Sequence, residues 1–296
     1  NFGEIFKKMS FKDYLESTLT KSDFNRVWDS FFKPKSVGFY LNLLKFNKDE
    51  IILSLNNLGV EITEFLPNFY ICDAKFKDTL THSEIFNKGA IYIQNPSSYL
   101  AALALNPNRD DMVLDMCASP GGKSIALANM MGQGANLAVM ESDTKRFYTL
   151  KSNLNKYGCE WVRTYNKDAR SISRTCQNKF DKILLDAPCS SYSHFGDGFV
   201  EKSAKEIKLI ARLQKQLLNS ALSALKPGGV VVYSTCTFFE CENEEVVQNA
   251  LNSKFDITID KISFGLSVEI ISEFGLKILP DCNMDAFFLA KIIKNS

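Results

Sequence analysis

Met112-Val113-Leu114-Asp115-Met116 runs directly into Cys117-Ala118-Ser119-Pro120-Gly121-Gly122-Lys123-Ser124, and the order of residue types in that stretch governs how the rest of the chain is read. The first five residues form a short apolar run of the kind found in buried parallel strands. The glycines that follow let backbone amides approach a ligand. Ser124 to Met131 predicts a helix, whose N-terminus favours anionic groups. Strand, glycine turn and helix in that order begin a parallel α/β sheet.

The same alternation continues outward from this stretch. Leu137-Ala138-Val139-Met140 reads as the next strand and Asp143 to Tyr157 as a helix, with Phe147, Leu150 and Leu154 on one face and Gly158 at its C-terminal cap. Strands are predicted at Trp161 to Tyr165, Ile183 to Leu185 and Val230 to Tyr233. Between the last two, a long helix opens on the capping box Ser203-x-x-Glu206, and Lys226-Pro227-Gly228-Gly229 stops it. Before residue 89 the pattern differs: helical and strand patterns mix around Phe11 to Leu19, Phe24 to Phe32, Gly38 to Lys45 and Glu50 to Leu58, with a helical stripe at Ile51, Ile52, Leu55 and Leu58 and short strands at Gly38 to Leu41 and Phe69 to Ile71. The expected fold is α/β, a Rossmann-like sheet over residues 89–296 with a smaller α+β N-terminal domain over residues 1–88.

Composition narrows the class. With 296 residues, 45% hydrophobic and 23% charged, the chain has the make-up of a soluble globular protein. It lacks the roughly 20-residue apolar run of a membrane helix and a signal-peptide core, so no membrane association and a cytoplasmic location are expected. The first residue is not methionine, which suggests a processed or trimmed start. Eight cysteines without a Cys-x-x-Cys pair, and two histidines, argue against a structural zinc site and a disulfide framework. Net charge is +1, but residues 143–226 carry 16 Lys or Arg against 8 Asp or Glu. A basic middle attracts a polyanion, although solvated helix faces account for it equally well.

Two readings compete for the glycine loop. Gly122-Lys123-Ser124 matches the end of a phosphate-binding P-loop, but Cys117 stands where that motif has its first glycine. The alternative is an adenosine cofactor. Asp115, Glu141 and Asp168 each follow a predicted strand, where an acid binds ribose hydroxyls or accepts from an adenine amine. Together the acids favour S-adenosylmethionine over ATP.

Cys189, in Asp186-Ala187-Pro188-Cys189-Ser190-Ser191, and Cys236, in Tyr233-Ser234-Thr235-Cys236-Thr237, both fall just after strands, where open α/β sheets bind ligands. A lone cysteine is by default a small buried hydrophobe. A thiol at a strand end is also a candidate nucleophile. His194, in the loop after Cys189, is a conceivable base.

With these stretches the chain resembles the RNA cytosine-5 methyltransferases, the group that includes the Sun and Fmu proteins. The likeness runs through Gly89 to Ser98, Asp115 to Ser124, Asp186 to Ser191, Leu213-Gln214, Lys226 to Thr237 and Leu279-Pro280 to Ala290, some two hundred residues in order. Joining Asp-Ala-Pro-Cys-Ser to Tyr-Ser-Thr-Cys-Thr makes it specific. The resemblance implies the Rossmann-like sheet of S-adenosylmethionine-dependent methyltransferases and RNA as the partner, rRNA ahead of tRNA, with a monomer expected and the N-terminal domain binding or positioning RNA. It implies Cys236 as the nucleophile toward carbon 6 of a cytosine, Cys189 in release of the adduct, and Asp186 holding the base with Lys123 as its electrostatic partner. By the same likeness Cys117, Ala118, Ser119, Pro120, Gly121, Gly122 and Lys123 line the methionine end of S-adenosylmethionine, Glu141 the ribose, Asp168 the adenine and Asp186 the sulfonium side. Arg146 matches an arginine near the cofactor, and Gln94 and Asn95 match the block before the sheet. No metal is implied. DNA enzymes of similar chemistry lack a second thiol after Ser-Thr. Tyr192-Ser193-His194-Phe195 departs from the family's usual Gly-Thr-Gly continuation.

Overall fold

The computed structural model describes residues 9–296; the first eight residues of the expected N-terminal domain lie outside that range. A four-stranded antiparallel sheet comprises Val37–Leu41 (β1), Thr63–Leu66 (β2), Phe69–Cys72 (β3) and Ile91–Ile93 (β4), in the order β2-β3-β1-β4. The boundary expected at residue 88 therefore cuts this sheet, because β4 pairs with β1 through Phe39 and Ile93. The α+β unit extends to residue 93.

The large sheet contains Val113–Asp115 (β5), Leu137–Met140 (β6), Arg163–Tyr165 (β7), Phe180–Asp186 (β8), Leu225–Thr235 (β9), Ile257–Asp260 (β10), Glu269–Ile271 (β11), Leu276–Ile278 (β12) and Phe287–Lys294 (β13). Its order is β11-β12-β13-β9-β8-β5-β6-β7, with β10 also on β13. Strands β5 to β9 are parallel to their neighbours, and β13 adds on antiparallel to β9. The chain winds outward from β5 through β6 and β7, then returns to β8 on the other side. That reversal places a ligand crevice at the carboxyl ends of β5 and β8.

Successive strand residues serve opposite faces, as the two-residue strand period requires. Val113, Val139, Leu184 and Val232 pack under the helices Pro96–Leu105, Gly122–Met131 and Thr144–Lys156. Leu114, Ile183, Leu185 and Val231 pack under Ala204–Ala224 and Glu244–Leu251. The expected helix signals are present: Gly158 adopts φ +77° after its helix, and Ser203 and Glu206 form both bonds of the capping box. The long helix does end at Ala224, just before Lys226 to Gly229, and those residues lie inside β9, where the register against β8 shifts and Gly228 takes φ +75°.

The small sheet is two-faced. Phe39, Leu41 and Tyr70 bury against the helix Lys48–Asn57, while Tyr40 and Phe69 turn to the large domain. Tyr40 stacks 5.4 Å from Tyr99 and donates its hydroxyl to the Gly122 carbonyl at 2.8 Å, tying this sheet to the glycine loop. The helices Phe11–Thr18 and Lys21–Ser30 join the core cluster of the large sheet, apart from the small sheet's own core. Phe11 is fully buried among the rings of Tyr192, Phe195 and Phe238, at 4.7 to 5.5 Å between centroids. Among the described residues no helix is long and apolar enough to cross a membrane.

Candidate active site

Parallel pairing of β8 with β9 sets Asp186 opposite Ser234 and brings the two cysteine turns together at the sheet's carboxyl edge. Cys189 Sγ lies 3.1 Å from Cys236 Sγ, too far for a disulfide of about 2.05 Å and close enough to share a proton. The Ser191 hydroxyl is 3.6 Å from Cys236 Sγ, and the Cys236 amide donates to Cys189 Sγ at 3.4 Å. A hydrogen bond from the Cys189 thiol, outweighing burial, holds Cys236 below the usual thiol range, and the Ser191 hydroxyl acts in the same direction. The same bond, with burial added, pushes Cys189 well above it. The pair is thus unequal, with the thiolate favoured on Cys236.

Lys123 Nζ stands 2.8 Å from Asp186 Oδ2, and Ser234 Oγ donates to Asp186 Oδ1 at 2.8 Å. Burial would lower the Lys123 ammonium, but Asp186 and the neighbouring Cys236 raise it above the usual lysine range. Ser234 belongs to the quoted Tyr-Ser-Thr-Cys-Thr stretch, yet its bond to Asp186 depends on the β8–β9 register. Sequence spacing does not reveal it.

A cavity of about 420 Å³ opens beside the thiols. Of the expected residues, Cys117, Ser119, Glu141, Asp168, Asp186, Cys189 and Cys236 line it, as does Arg146. A second cavity, about 240 Å³, takes in Ala118, Pro120, Gly122 and Lys123, with Tyr92 and Gln94 on its far wall. Both cavities share Cys117, Ser119 and Asp186. Gly121 lines neither; at φ +118° it supplies the turn into the helix. Arg146 braces the loop by donating to the Ser119 carbonyl at 3.0 Å.

The three strand-end acids differ in setting. Asp115 is 1% exposed, accepts from Ser124 Oγ at 2.6 Å, and is pushed up to about 7 by burial. Glu141 is 4% exposed and accepts the Asp143 amide at 2.9 Å. Asp168 is clamped by the Arg170 guanidinium, a pairing absent from the sequence reading, and that hydrogen bond holds it below the usual carboxylate range. His194 is exposed, and Asn95 caps the helix Pro96–Leu105 by accepting the Ser97 amide, so Asn95 has a structural task at this edge.

A family model, 16S rRNA methyltransferase RsmB/F, matches residues 102–293. The chain belongs to the RsmB/F methyltransferase family. This RsmB/F-family protein is 32% identical to the tRNA (cytosine(49)-C(5))-methyltransferase of Pyrococcus abyssi, over 99% of both chains. It is also 32% identical to ribosomal RNA small subunit methyltransferase F of Aeromonas salmonicida, over 89% of this chain and 58% of that one. The solved structure of NSun6 from Pyrococcus horikoshii with SFG superposes with a TM-score of 0.85, at 21% identity, over 96% of this chain and 97% of that one. The fold is that of S-adenosylmethionine-dependent methyltransferases, as expected, and family membership sets aside the NTPase reading. S-adenosylmethionine is the cofactor. The residues present fit it: the two cavities share Cys117, Ser119 and Asp186 in their walls, and the buried Glu141 carboxylate lines the larger of the two as an acceptor.

Proposed function

We propose that this RsmB/F-family protein methylates carbon 5 of a cytosine in RNA through a covalent adduct on Cys236. The observation that carries the reading is the pair of sulfurs 3.1 Å apart beside the Lys123–Asp186 pair. Carbon 5 of a cytosine is a poor nucleophile until the ring's aromaticity is interrupted, which is why covalent catalysis is needed. In this scheme the Cys236 thiolate bonds to carbon 6, and the electron pair displaced from the ring makes carbon 5 an enamine carbon. Asp186 accepts a hydrogen bond from the exocyclic amine, and the Lys123 ammonium beside it stabilises the negative charge that builds up on the ring nitrogen. When bound, S-adenosylmethionine supplies the methyl group. Once Cys236 is bound to carbon 6 it no longer accepts from Cys189, which loses its proton to solvent and as the thiolate assists removal of the carbon 5 proton. The carbon 6–sulfur bond then breaks, its electrons return to Cys236, and the 5,6 double bond reforms.

Glu141 holds the ribose of the cofactor and Asp168 its adenine, while Cys117 to Lys123 take the methionine end. A stacked base cannot reach these groups, so the cytosine is unpaired or flipped. Lys205, Lys208 and Arg212, exposed on the helix Ala204–Ala224, suit an RNA backbone near the site.

The family model and the A. salmonicida relative support rRNA as substrate. A tRNA substrate is the second reading, favoured by the P. abyssi relative, which alone of the two matches over its whole length. Bisulfite sequencing of rRNA and tRNA from cells with and without the gene tests both. The expected result is one cytosine protected only when the gene is present; no difference in either RNA would overturn the proposal.

A further inference from the structure

Glu242 is a buried ionisable group that the scheme above does not use. It is 0% exposed and lies between the two cysteine turns. Its Oε2 accepts the amide of Ser190, the residue after Cys189, at 2.9 Å, and Gln214 Nε2 at 3.0 Å. Gln214 also donates to the Pro188 carbonyl at 2.9 Å, so the turn carrying Cys189 is gripped on both sides of the sulfur. The Glu242 backbone carbonyl accepts the Tyr233 hydroxyl at the end of β9. The next residue, Asn243, brackets Cys236: its Oδ1 accepts from Thr235 Oγ1 and its Nδ2 donates to the Thr237 carbonyl at 3.0 Å. One buried dipeptide therefore spans both turns, and Ser190 Oγ and Thr237 Oγ1 meet at 2.7 Å.

Burying a carboxylate is costly unless hydrogen bonds and neighbouring charges offset the loss of water. Here the second oxygen, Oε1, is buried without a partner. An apolar residue would fill the space, yet it would leave the Ser190 amide unsatisfied and the Cys189 turn free to move.

We propose that Glu242 is a positioning residue of the two-thiol site, holding the Cys189 turn against the Cys236 turn so that one sulfur serves the other. This deepens the covalent reading and rests on it for its catalytic meaning. The positioning itself has a readout that needs no RNA. Burial raises the Glu242 carboxyl above its usual range, and the negative charge of the ionised group helps keep Cys189 in the protonated, donating form.

The test is peptide-mapped alkylation by iodoacetamide at pH 7, comparing Cys236 with Cys189 in the whole chain. The unaltered protein should label Cys236 preferentially. In Glu242→Ala that preference should fall about tenfold, the equivalent of one hydrogen bond to a charged group. Glu242→Gln, which keeps an acceptor for the Ser190 amide, should stay within about threefold of the unaltered protein, since the lost contact is restored. If Glu242→Ala does not fold, Gln214→Met gives the same reading, because it removes the bonds to Pro188 and Glu242 while filling the space. An unchanged labelling ratio with only a lowered Tm would overturn the proposal, as would a Glu242→Gln variant as unselective as Glu242→Ala. A parallel assay for protein–RNA adduct with total RNA from cells lacking the gene separates the two claims. Loss of selectivity without any adduct, even in Cys189→Ala, sinks the covalent reading and leaves the positioning role standing.

Discussion

At the scale of single residues, the division between the two thiols comes from their surroundings and not from the side chains themselves. Cys236 has the Cys189 thiol and the Ser191 hydroxyl within reach, and both favour its anion; the bond to Cys236, burial and a nearby carboxylate stand against ionisation of Cys189. Because the Cys236 value lies below the ordinary one, its thiolate persists below the ~8.5 at which a free cysteine is half ionised and is lost as pH falls through the lowered midpoint. The rate of Cys236 alkylation followed against pH should accordingly show a midpoint below ~8.5. A midpoint at or above that value contradicts the account. The two cysteines stand out in the sequence because each follows a strand, whereas Asp186 and Lys123 enter as a pair only through the family resemblance that their stretches carry. Glu242, Gln214 and Ser234 were visible as residues but not as partners. Their roles arise from bonds across 28 to 52 positions of chain, which no local pattern encodes.

Among the elements, the strand-turn-helix of residues 112–131 delivers the site because its glycines allow close approach from two sides. A Cβ on Gly122 would lie 2.8 Å from the Tyr92 ring and 3.2 Å from Gln94 Nε2. Tyr92 cannot easily retreat, since it stacks 5.3 Å from Tyr40. Gly122→Ala should therefore destabilise the fold by about 1–3 kcal/mol, the usual cost of overpacking. Isothermal titration should also find weaker binding of S-adenosylmethionine; unchanged Tm and unchanged affinity would contradict this. Parallel strands β5 to β9 were readable from apolar runs broken by turns, and their ends from the acids that follow. The antiparallel strands β10 to β12 were not read. β10 and β11 are half-buried or exposed, and β12, though Leu276 and Ile278 are buried, is only three residues long, so none presents the apolar run that marks a central strand.

For the molecule as a whole, the N-terminal segment and the catalytic edge form one packing unit. Phe11 is buried against Tyr192, Phe195, Phe238 and Phe239, which flank the two cysteine turns. The sequence around Phe11 and Phe24 shows only mixed helical and strand patterns within the N-terminal domain, and no local pattern names the partner these residues pack against. Phe11→Ala should cost about 3–5 kcal/mol of stability in urea denaturation, as for large buried aromatics. A change under about 0.5 kcal/mol, the range of ordinary surface substitutions, would show that this packing is dispensable. The central claim is that Cys236 attacks and Cys189 releases, and denaturing gel electrophoresis of protein incubated with S-adenosylmethionine and total RNA from cells lacking the gene tests it most directly. Cys189→Ala should accumulate a protein–RNA adduct that survives denaturant, and Cys236→Ala should form none; an adduct in Cys236→Ala, or normal methylation by both variants, would contradict it.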